Sequence, residues 1–316
     1  MAQPLAIFFP GQGSQSIGML DALAAVYPSV RHTFEEASDA LGRNLWQLVT
    51  EGPKEELDQT ENTQPIMLTA GIAVWRVWQT QMTTPATLMA GHSLGEYSAL
   101  VAAGALSFTA AVQLAADRAR FMQEAVPAGE GAMAAVLNLT DEQVMALCAE
   151  QAQGEVLAAV NFNAVGQVVI AGATAAVNRA LAAAKTAGAR KAMLLPVSVP
   201  SHCDLMRPAA ERLAERLAEV TLALPTVPVL HNVNVTAATN VDDLRKLLVQ
   251  QLYRPVRWVE TVRTVTAQGV TLALECGPGK VLTGLCKRID DNLTTLPVFD
   301  PKTLDAALEL MANVER

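Results

Sequence analysis

Charged residues are scarce in this chain of 316 residues, and its glycines and prolines show no repeat. Only 17% of the residues are charged and 51% are hydrophobic, which excludes a disordered chain because disorder combines low hydrophobicity with high charge. The 19 glycines and 16 prolines follow no period, which excludes a fibrous protein. Basic residues number 23 against 31 acidic ones, so the net charge is −8 and nucleic acid is not expected as a main partner.

Paired cysteines and long apolar runs are also missing. The first 13 residues hold no basic segment and one short apolar run, Leu5–Phe9, so no signal peptide is expected. No stretch of about 18 apolar residues is free of charge, so no membrane span is expected. No Cys-x-x-Cys occurs, and the spacing of the cysteines fits neither a zinc site nor a dense disulfide framework. We therefore expect four reduced thiols in a cytoplasmic protein, at Cys148, Cys203, Cys276 and Cys286.

Short apolar runs that end at Gly or Pro alternate with longer amphipathic stretches. This alternation predicts an α/β fold. We expect strands at 5–9, 87–90, 227–233 and 271–275. We expect helices at 16–27, 31–41, 64–80, 95–103, 109–124, 208–220 and 240–251.

The block from 126 to 197 has a different order of elements. Thr140 with Gln143 forms a capping-box pattern, which predicts that a helix begins there. The order strand–helix–strand–strand–helix–strand is typical of a ferredoxin-like unit. We therefore expect a small subdomain at 126–197, inserted into a larger catalytic one at 1–125 and 198–316. Its expected strands are 132–139, 155–161, 167–171 and 190–197, and its expected helices are 140–153 and 173–188.

The segment Gly91-His-Ser-Leu-Gly95 matches Gly-x-Ser-x-Gly between a predicted strand and a predicted helix. That context is the one in which this pattern forms a nucleophile elbow. The tight turn would place the hydroxyl of Ser93 at a helix N-terminus, where backbone N–H groups stabilise negative charge. The N–H of Leu94 would be the first oxyanion donor. The alternative is an ordinary turn.

A serine nucleophile needs a base, and the chain has four histidines. His32 lies in a polar helix, and His92 precedes the serine and is expected to point away from it. His202 and His231 both follow apolar runs and both come after the serine in the chain, so spacing alone leaves the choice between them open. No aspartate has an obvious position as the third member of a triad.

Gly11-Gln-Gly13 follows the first predicted strand and suggests a nucleotide site. However, the spacing is not Gly-x-Gly-x-x-Gly and no Walker lysine follows. We interpret the loop as a turn that brings backbone N–H groups to the site, where it could supply a second oxyanion donor.

Arg118 lies in an apolar stretch of the predicted helix 109–124. If it is buried it needs an anion, and its planar fork suits a carboxylate. The alternative is a surface position, because Asp117 and Arg120 give this helix a polar face.

Taken together, these segments resemble the malonyl-CoA:acyl carrier protein transacylases of bacterial fatty-acid synthesis, from end to end. The matching segments are Phe9-Pro-Gly-Gln-Gly-Ser-Gln15, Gly91-His-Ser-Leu-Gly-Glu96, Arg118 with Phe121-Met-Gln123, Asn161-Phe-Asn163, Gln167-Val-Val-Ile170, Pro200-Ser-His202, Gln251-Leu with Pro255-Val-Arg-Trp258, and Glu275-Cys-Gly-Pro-Gly-Lys280. Their order and spacing make the resemblance specific.

The resemblance implies an α/β-hydrolase-like large subdomain, with the active site between it and the ferredoxin-like insertion. It implies that Ser93 is the acylated nucleophile and His202 its general base. The residue similar to Gln251 orients the histidine through its backbone carbonyl in the family, which would explain the missing aspartate. Gln12 and Leu94 would supply the oxyanion hole.

The resemblance also implies the substrates. Arg118 would bind the free carboxylate of malonyl-CoA, and the acceptor would be the phosphopantetheine thiol of an acyl carrier protein, with no metal or redox cofactor. Acyl carrier proteins are acidic, so we expect a basic docking patch. The candidates are Lys185, Arg190, Lys191, Lys280, Lys287 and Arg288.

Three alternatives use the same residues differently. An acyl hydrolase or thioesterase would transfer the acyl group to water, and a docking module would have a degenerate site. A relative serving malonate decarboxylase or polyketide synthesis would have the same chemistry.

The cysteine beside His202 offers another candidate nucleophile. We expect Cys203 to be structural instead.

Overall fold

The computed structural model describes residues 4–82, 84–197 and 199–314. Five parallel strands form a large sheet in the order β7-β2-β1-β8-β9, where β1 is Leu5–Phe9, β2 Leu88–Gly91, β7 Val229–Leu230, β8 Leu272–Cys276 and β9 Thr294–Val298. All residues of β1 and β8 are buried. Continuous apolar strands are typical of a parallel sheet that is covered on both faces, so this sheet forms the centre of the molecule.

Helices surround the large sheet. The longest, α5, spans Thr60–Gln81 and is buried along most of its length. Before it lie α1 (Asp21–Val26), α2 (Ser29–Leu41), α3 (Leu45–Glu51) and α4 (Lys54–Leu57), and after β2 come α6 (Gly95–Ala102) and α7 (Phe108–Ala125). The C-terminal part adds α10 (Arg207–Ala218), α11 (Val241–Gln251), α12 (Trp258–Ala267), α13 (Val281–Ile289) and α14 (Pro301–Val314).

A second, small sheet is antiparallel and has the strand order β4-β5-β3-β6. Its strands are β3 (Gly131–Leu137), β4 (Leu157–Ala164), β5 (Gln167–Ala173) and β6 (Lys191–Leu194), and its helices are α8 (Asp141–Ala152) and α9 (Thr174–Ala184). The capping box predicted at Thr140 and Gln143 is present at the start of α8. Separate parallel and antiparallel sheets confirm the predicted α/β class.

The small sheet contacts the rest of the chain through its edge strand β4. The N–H of Val256, after α11, donates to the carbonyl of Val160 at 2.8 Å, and the N–H of Phe162 donates to the carbonyl of Val256 at 3.0 Å. On the sheet itself, Met133 and Val169 pack in one cluster with Cys203. The segment that holds His202 is therefore packed against the small sheet.

Several predicted boundaries differ from the structure. The helix predicted at 16–27 begins only at Asp21, because Gly18 and Leu20 both have positive φ, 77° and 67°, which no α-helix accommodates. The strand predicted at 227–233 is two residues long, Val229–Leu230. Elements that the sequence analysis did not predict are α3, α4, α12, α13, α14 and β9.

Candidate active site

Ser93 occupies a sharp turn between β2, which ends at Gly91, and α6, which begins at Gly95. Its φ is +50°, a left-handed conformation that non-glycine residues seldom adopt. A Cβ at Gly91 would lie 1.9 Å from the carbonyl carbon of Gly95, and a Cβ at Gly95 would lie 2.0 Å from the carbonyl oxygen of Phe9. Both glycines are thus required by the close approach of strand and helix, as the Gly-x-Ser-x-Gly pattern predicts.

The hydroxyl of Ser93 contacts one histidine. Its Oγ lies 2.8 Å from Nε2 of His202, and Nδ1 of the same ring lies 2.7 Å from the backbone carbonyl of Gln251. A carbonyl can only accept, so Nδ1 carries the proton and donates it. Nε2 then presents a lone pair to the serine O–H, which is the arrangement of a nucleophile, a base and a group that orients the base.

The imidazole of His202 is held in its neutral form. It is buried, 3% exposed, and burial together with the positive charge of Arg118 lowers its pKa to about 3. A neutral imidazole at physiological pH is the form that can accept a proton.

The other histidines have different surroundings. His231 is fully buried, and its Nδ1 lies 2.7 Å from Oε1 of Glu96. Nε2 of His92 lies 2.7 Å from Oδ1 of Asn163. His32 is exposed on α2. The structure therefore places His202, and not His231, against the serine.

Arg118 projects from α7 into the interior and is 1% exposed. Its Nη1 donates to Oε1 of Gln64 at 2.6 Å and its Nη2 donates to Oε1 of Gln251 at 3.0 Å, while the guanidinium lies 5.5 Å from the ring centre of Tyr97. The surface position considered in the sequence analysis is wrong. Because both hydrogen-bond partners are neutral amides, they orient the guanidinium without neutralising its charge, which remains available to an anion.

Gln251 connects three of the predicted site residues. Its backbone carbonyl accepts from His202, its Oε1 accepts from Arg118, and its Nε2 donates to the carbonyl oxygen of Ser93 at 3.0 Å. The family resemblance implies a role for its carbonyl and none for its side chain.

The Gly11–Gln12 loop lies against the elbow. A Cβ at Gly11 would be 2.5 Å from the carbonyl oxygen of His92 and 3.8 Å from the nitrogen of Leu94. The N–H of Ser93 is already used, since it donates to Oδ1 of Asn232 at 2.8 Å. The loop that holds Gln12 therefore lies beside the backbone nitrogen of Leu94.

A cavity of about 170 Å³ opens in front of Ser93 and His202. Loops after β1 and β2, the start of α5, strands β3, β4 and β5 and the segment after β6 line it: Gln12, Thr60, His92, Ser93, Met133, Asn161, Asn163, Val169, Leu195, Val197, Val199, Ser201 and His202. The site is thus a cleft between the large and the small sheet.

Comparison with known proteins identifies the family. A family model described as "Acyl transferase domain" matches residues 7–292. The malonyl CoA-acyl carrier protein transacylase of Escherichia coli (strain K12) is 57% identical over 305 residues, which cover 96% of this chain and 99% of that protein. The Haemophilus influenzae protein of the same name is 52% identical over 307 residues, covering 97% of this chain and 98% of that one. The chain belongs to the malonyl-CoA:acyl carrier protein transacylase family.

Solved structures of this family have the same fold. The transacylase of Coxiella burnetii aligns with a TM-score of 0.97 at 48% identity, over 98% of each chain. A malonyl-transacylase solved in complex with its type II PKS acyl-carrier protein aligns with a TM-score of 0.96 at 52% identity, over 98% of this chain and 100% of that one.

The cysteines of this transacylase-family chain are buried and free. Burial raises the pKa of Cys203 to about 12, and its thiol donates to the carbonyl of Pro200 at 3.2 Å. A thiol with so high a pKa is not a nucleophile near neutral pH, so the expectation of a structural role for Cys203 agrees with its surroundings.

No helix within the described parts of the chain is both long and apolar enough to cross a membrane.

Three buried residues beside the site received no role from the sequence, although Glu96 lies in one of the matching segments: Gln64, Glu96 and Asn232. Gln64 lies on α5 and bonds to Arg118, 54 positions away. Asn232 follows β7, the strand next to β2, and ends of adjacent parallel strands meet at one edge of a sheet. That topological rule is the signal that could have found Asn232.

Proposed function

We propose that this chain transfers a malonyl group from coenzyme A to the phosphopantetheine thiol of an acyl carrier protein, through a malonyl ester on Ser93. It is an acyltransferase, an acyl-carrier-protein S-malonyltransferase that supplies fatty-acid chain elongation. The observation that supports this chemistry most strongly is the 2.8 Å contact between Ser93 Oγ and Nε2 of a neutral His202.

In the first half-reaction, Nε2 of His202 takes the proton of the Ser93 hydroxyl while Oγ attacks the thioester carbonyl of malonyl-CoA. A C–O bond forms and the carbonyl becomes a tetrahedral oxyanion. The C–S bond then breaks, and the proton passes from His202 to the leaving thiolate of coenzyme A. The second half-reaction reverses these steps with the carrier thiol as the attacking group. The carbonyl of Gln251 keeps the imidazole in the tautomer that both steps need.

The negative charge of the tetrahedral intermediate needs donors, and we propose the backbone N–H groups of Leu94 and Gln12. The position of Leu94 at the start of α6 supports the first, because the N-terminus of a helix carries partial positive charge. The approach of the Gly11–Gln12 loop to the elbow supports the second.

We propose that Arg118 binds the free carboxylate of the malonyl group with its planar fork. Its burial and its two neutral amide partners support this role, because a buried guanidinium is electrostatically unfavourable unless an anion bonds to it. The nearby carboxylate of Glu96 acts on Arg118 electrostatically, but its oxygens bond to His231 and Asn232 instead. An acetyl group lacks that carboxylate and is expected to be a poor substrate.

Kinetics with both substrates test the two-step path. A covalent intermediate predicts parallel lines in double-reciprocal plots and exchange of labelled coenzyme A with malonyl-CoA in the absence of any carrier protein. Intersecting lines without exchange would indicate direct transfer and would contradict the proposal.

The acid side of the pH–rate profile tests the assigned base. Because the pKa of His202 is lowered to about 3, its imidazole stays unprotonated well below the usual histidine range. We expect kcat/KM for malonyl-CoA to be flat between about pH 5 and 8, since that parameter reports the free enzyme's ionisations. A tenfold fall per pH unit below about pH 6.5 would show a histidine with an ordinary pKa and would contradict the assignment.

The proposed active site lies where two proposed subdomains of the chain meet. We propose an α/β-hydrolase-like subdomain at 1–125 and 198–316 and a ferredoxin-like one at 126–197. The strand order β4-β5-β3-β6 with two helices supports the second assignment. The boundary falls beside Ser198, which, like Met1–Gln3 and Glu315–Arg316, lies outside the described residues.

A basic surface at one end of the small sheet is a candidate docking site for the acidic carrier protein. Leu137 of β3 pairs with Lys191 on one side and with Gln167 on the other, so those two residues are about 10 Å apart across three strands. The guanidinium of Arg288, from α13, contacts the side chain of Gln167. Lys191 and Arg288, one from each group of basic residues suggested by the sequence, thus both lie near Gln167. All six proposed residues are exposed: Lys185, Arg190, Lys191, Lys280, Lys287 and Arg288.

Charge reversal tests this surface. In the double variant Lys191→Glu/Arg288→Glu we expect the KM for carrier protein to rise about tenfold, since exposed charge pairs contribute roughly 0.2–1 kcal/mol each and reversal adds repulsion. Transfer to free pantetheine, which carries no charge, is expected to change little. The matched control is Lys302→Glu, an exposed lysine on α14. An equal loss with carrier protein and pantetheine would contradict a docking role.

A further inference from the structure

Asn232 is fully buried behind the nucleophile elbow, and its side chain bonds to the backbone on both sides of His92. Its Oδ1 accepts the N–H of Ser93 at 2.8 Å, and its Nδ2 donates to the carbonyl of Gly91 at 2.7 Å. A primary amide has an acceptor oxygen beside a donor NH₂ group, so a single side chain satisfies both backbone groups.

The backbone at Ser93 needs such support. A non-glycine residue in the left-handed region costs of order 1–3 kcal/mol and persists only where the surroundings hold it. The φ of +50° at Ser93 is held from one side by the start of α6 and from the other by Asn232. Asn232 also occupies the N–H of Ser93, so the next N–H along the chain, that of Leu94, is the proposed oxyanion donor.

Asn232 is itself fixed by a buried carboxylate. Its backbone N–H donates to Oε2 of Glu96 at 2.8 Å, and Oε1 of Glu96 accepts from Nδ1 of His231 at 2.7 Å. Both side chains are fully buried. Because Glu96 lies in the first turn of α6, three residues after Ser93, the contacts close a loop from the serine through the helix to Asn232 and back to the serine.

We propose that Asn232 is a positioning residue for acyl transfer: through its two hydrogen bonds to the elbow it holds Ser93 Oγ in line with Nε2 of His202, and Glu96 with His231 holds Asn232. The proposal rests on Ser93 being the nucleophile, as proposed above. It gives a role to His231, the other candidate for the base, which is buried and hydrogen-bonded to the carboxylate of Glu96.

The substitution Asn232→Asp makes the role measurable, because a carboxyl group imitates the amide only when it is protonated. A neutral carboxyl has one donor and one acceptor, whereas a carboxylate cannot donate to the carbonyl of Gly91 and repels it. Burial and the neighbouring Glu96 both raise the pKa of the introduced group. The other charged groups that face this position are His231 and Arg257, whose backbone N–H donates to the carbonyl of Asn232 and whose side chain is paired with Glu260.

We expect Asn232→Asp to acylate about 100-fold more slowly than wild type at about pH 8, the loss typical of a small misplacement of reacting groups. The rate is expected to recover at least tenfold on lowering the pH to about 5.5, a pH at which we expect the wild-type rate to be unchanged. The affinity for free coenzyme A is expected to stay within about twofold, because Asn232 does not line the cleft. The measurement is single-turnover acylation by malonyl-CoA, normalised to the folded fraction from near-UV circular dichroism.

The matched control is Asn234→Asp, the same substitution two residues on in an exposed position, which should behave as wild type at both pH values. The alanine side chain in Asn232→Ala has neither donor nor acceptor, so acylation of this variant should be slow at both pH values. Acylation by Asn232→Ala within threefold of wild type would overturn the proposal, as would an Asn232→Asp rate that stays low at about pH 5.5. Absence of a malonyl adduct on Ser93 in the wild type would instead overturn the proposed function itself.

Discussion

Alanine at Ser93, or alanine at His202, is expected to lower kcat/KM for malonyl transfer by roughly 10⁵-fold, and both substitutions together should cost no more than either alone. Each residue is useless without the other, because the hydroxyl needs a base 2.8 Å away and the base has no other proton to take. The loss should appear in the chemical step, so the affinity for coenzyme A should be nearly unchanged.

Ser98→Ala is the matched control for this experiment. Ser98 lies on α6, five residues after Ser93, and its buried hydroxyl has no hydrogen-bond partner among the described residues. Its removal should leave the rate within about threefold of wild type, since no hydrogen bond is lost. Retention of more than about 1% of the activity in either active-site variant, with the protein folded, would contradict the assigned pair.

Alanine at Arg118 is expected to lower kcat/KM for malonyl-CoA by roughly 10²–10⁴-fold, which corresponds to the 3–5 kcal/mol of a broken buried ion pair. The rate with acetyl-CoA should be unchanged or higher, because acetyl offers no carboxylate for the guanidinium. The ratio of the two kcat/KM values therefore measures the role of Arg118 in substrate choice. The ratio for Arg118→Lys should fall between the ratios of the wild type and Arg118→Ala, since an ammonium keeps the charge and loses the planar fork.

Arg120→Ala is the control for Arg118. It lies two residues further along α7, is exposed, and pairs with Asp117 at 2.8 Å on the surface. It removes the same side chain from the same helix and should leave the malonyl-to-acetyl ratio unaltered. If Arg118→Ala kept the wild-type ratio, carboxylate recognition would have to be assigned to another group.

The elbow could be predicted from sequence because its determinants are local. Gly91, Ser93 and Gly95 lie within five residues, and the sterics that require the two glycines arise within the turn and from the neighbouring strand β1. The capping box at Thr140 is local in the same way. At Leu20, by contrast, no sequence pattern indicates the left-handed φ of 67°, and the helix predicted there was too long.

The partners of the elbow could not be predicted from spacing. His202 and His231 follow similar apolar runs, so local pattern does not distinguish them. Only the folding of the chain brings His202 to Ser93, from which it is 109 positions away in the sequence. Asn232 contacts residues 139 and 141 positions away. Likewise, whether Arg118 was buried depended on packing between α5, α7 and α11, because one amphipathic helix presents both a polar and an apolar face. For His202 and Arg118, the family resemblance supplied what local pattern could not.

The central claim is that Ser93 carries the malonyl group between two thiols. Intact-mass analysis after mixing the protein with malonyl-CoA or acetyl-CoA tests it most directly. We predict a gain of one malonyl group within the first turnover, its absence in Ser93→Ala, far slower labelling by acetyl-CoA, and persistence of the adduct until a pantetheine thiol is added. No adduct, or an adduct retained in Ser93→Ala, would contradict the account, and an adduct that water alone removes at the turnover rate would make the protein a hydrolase.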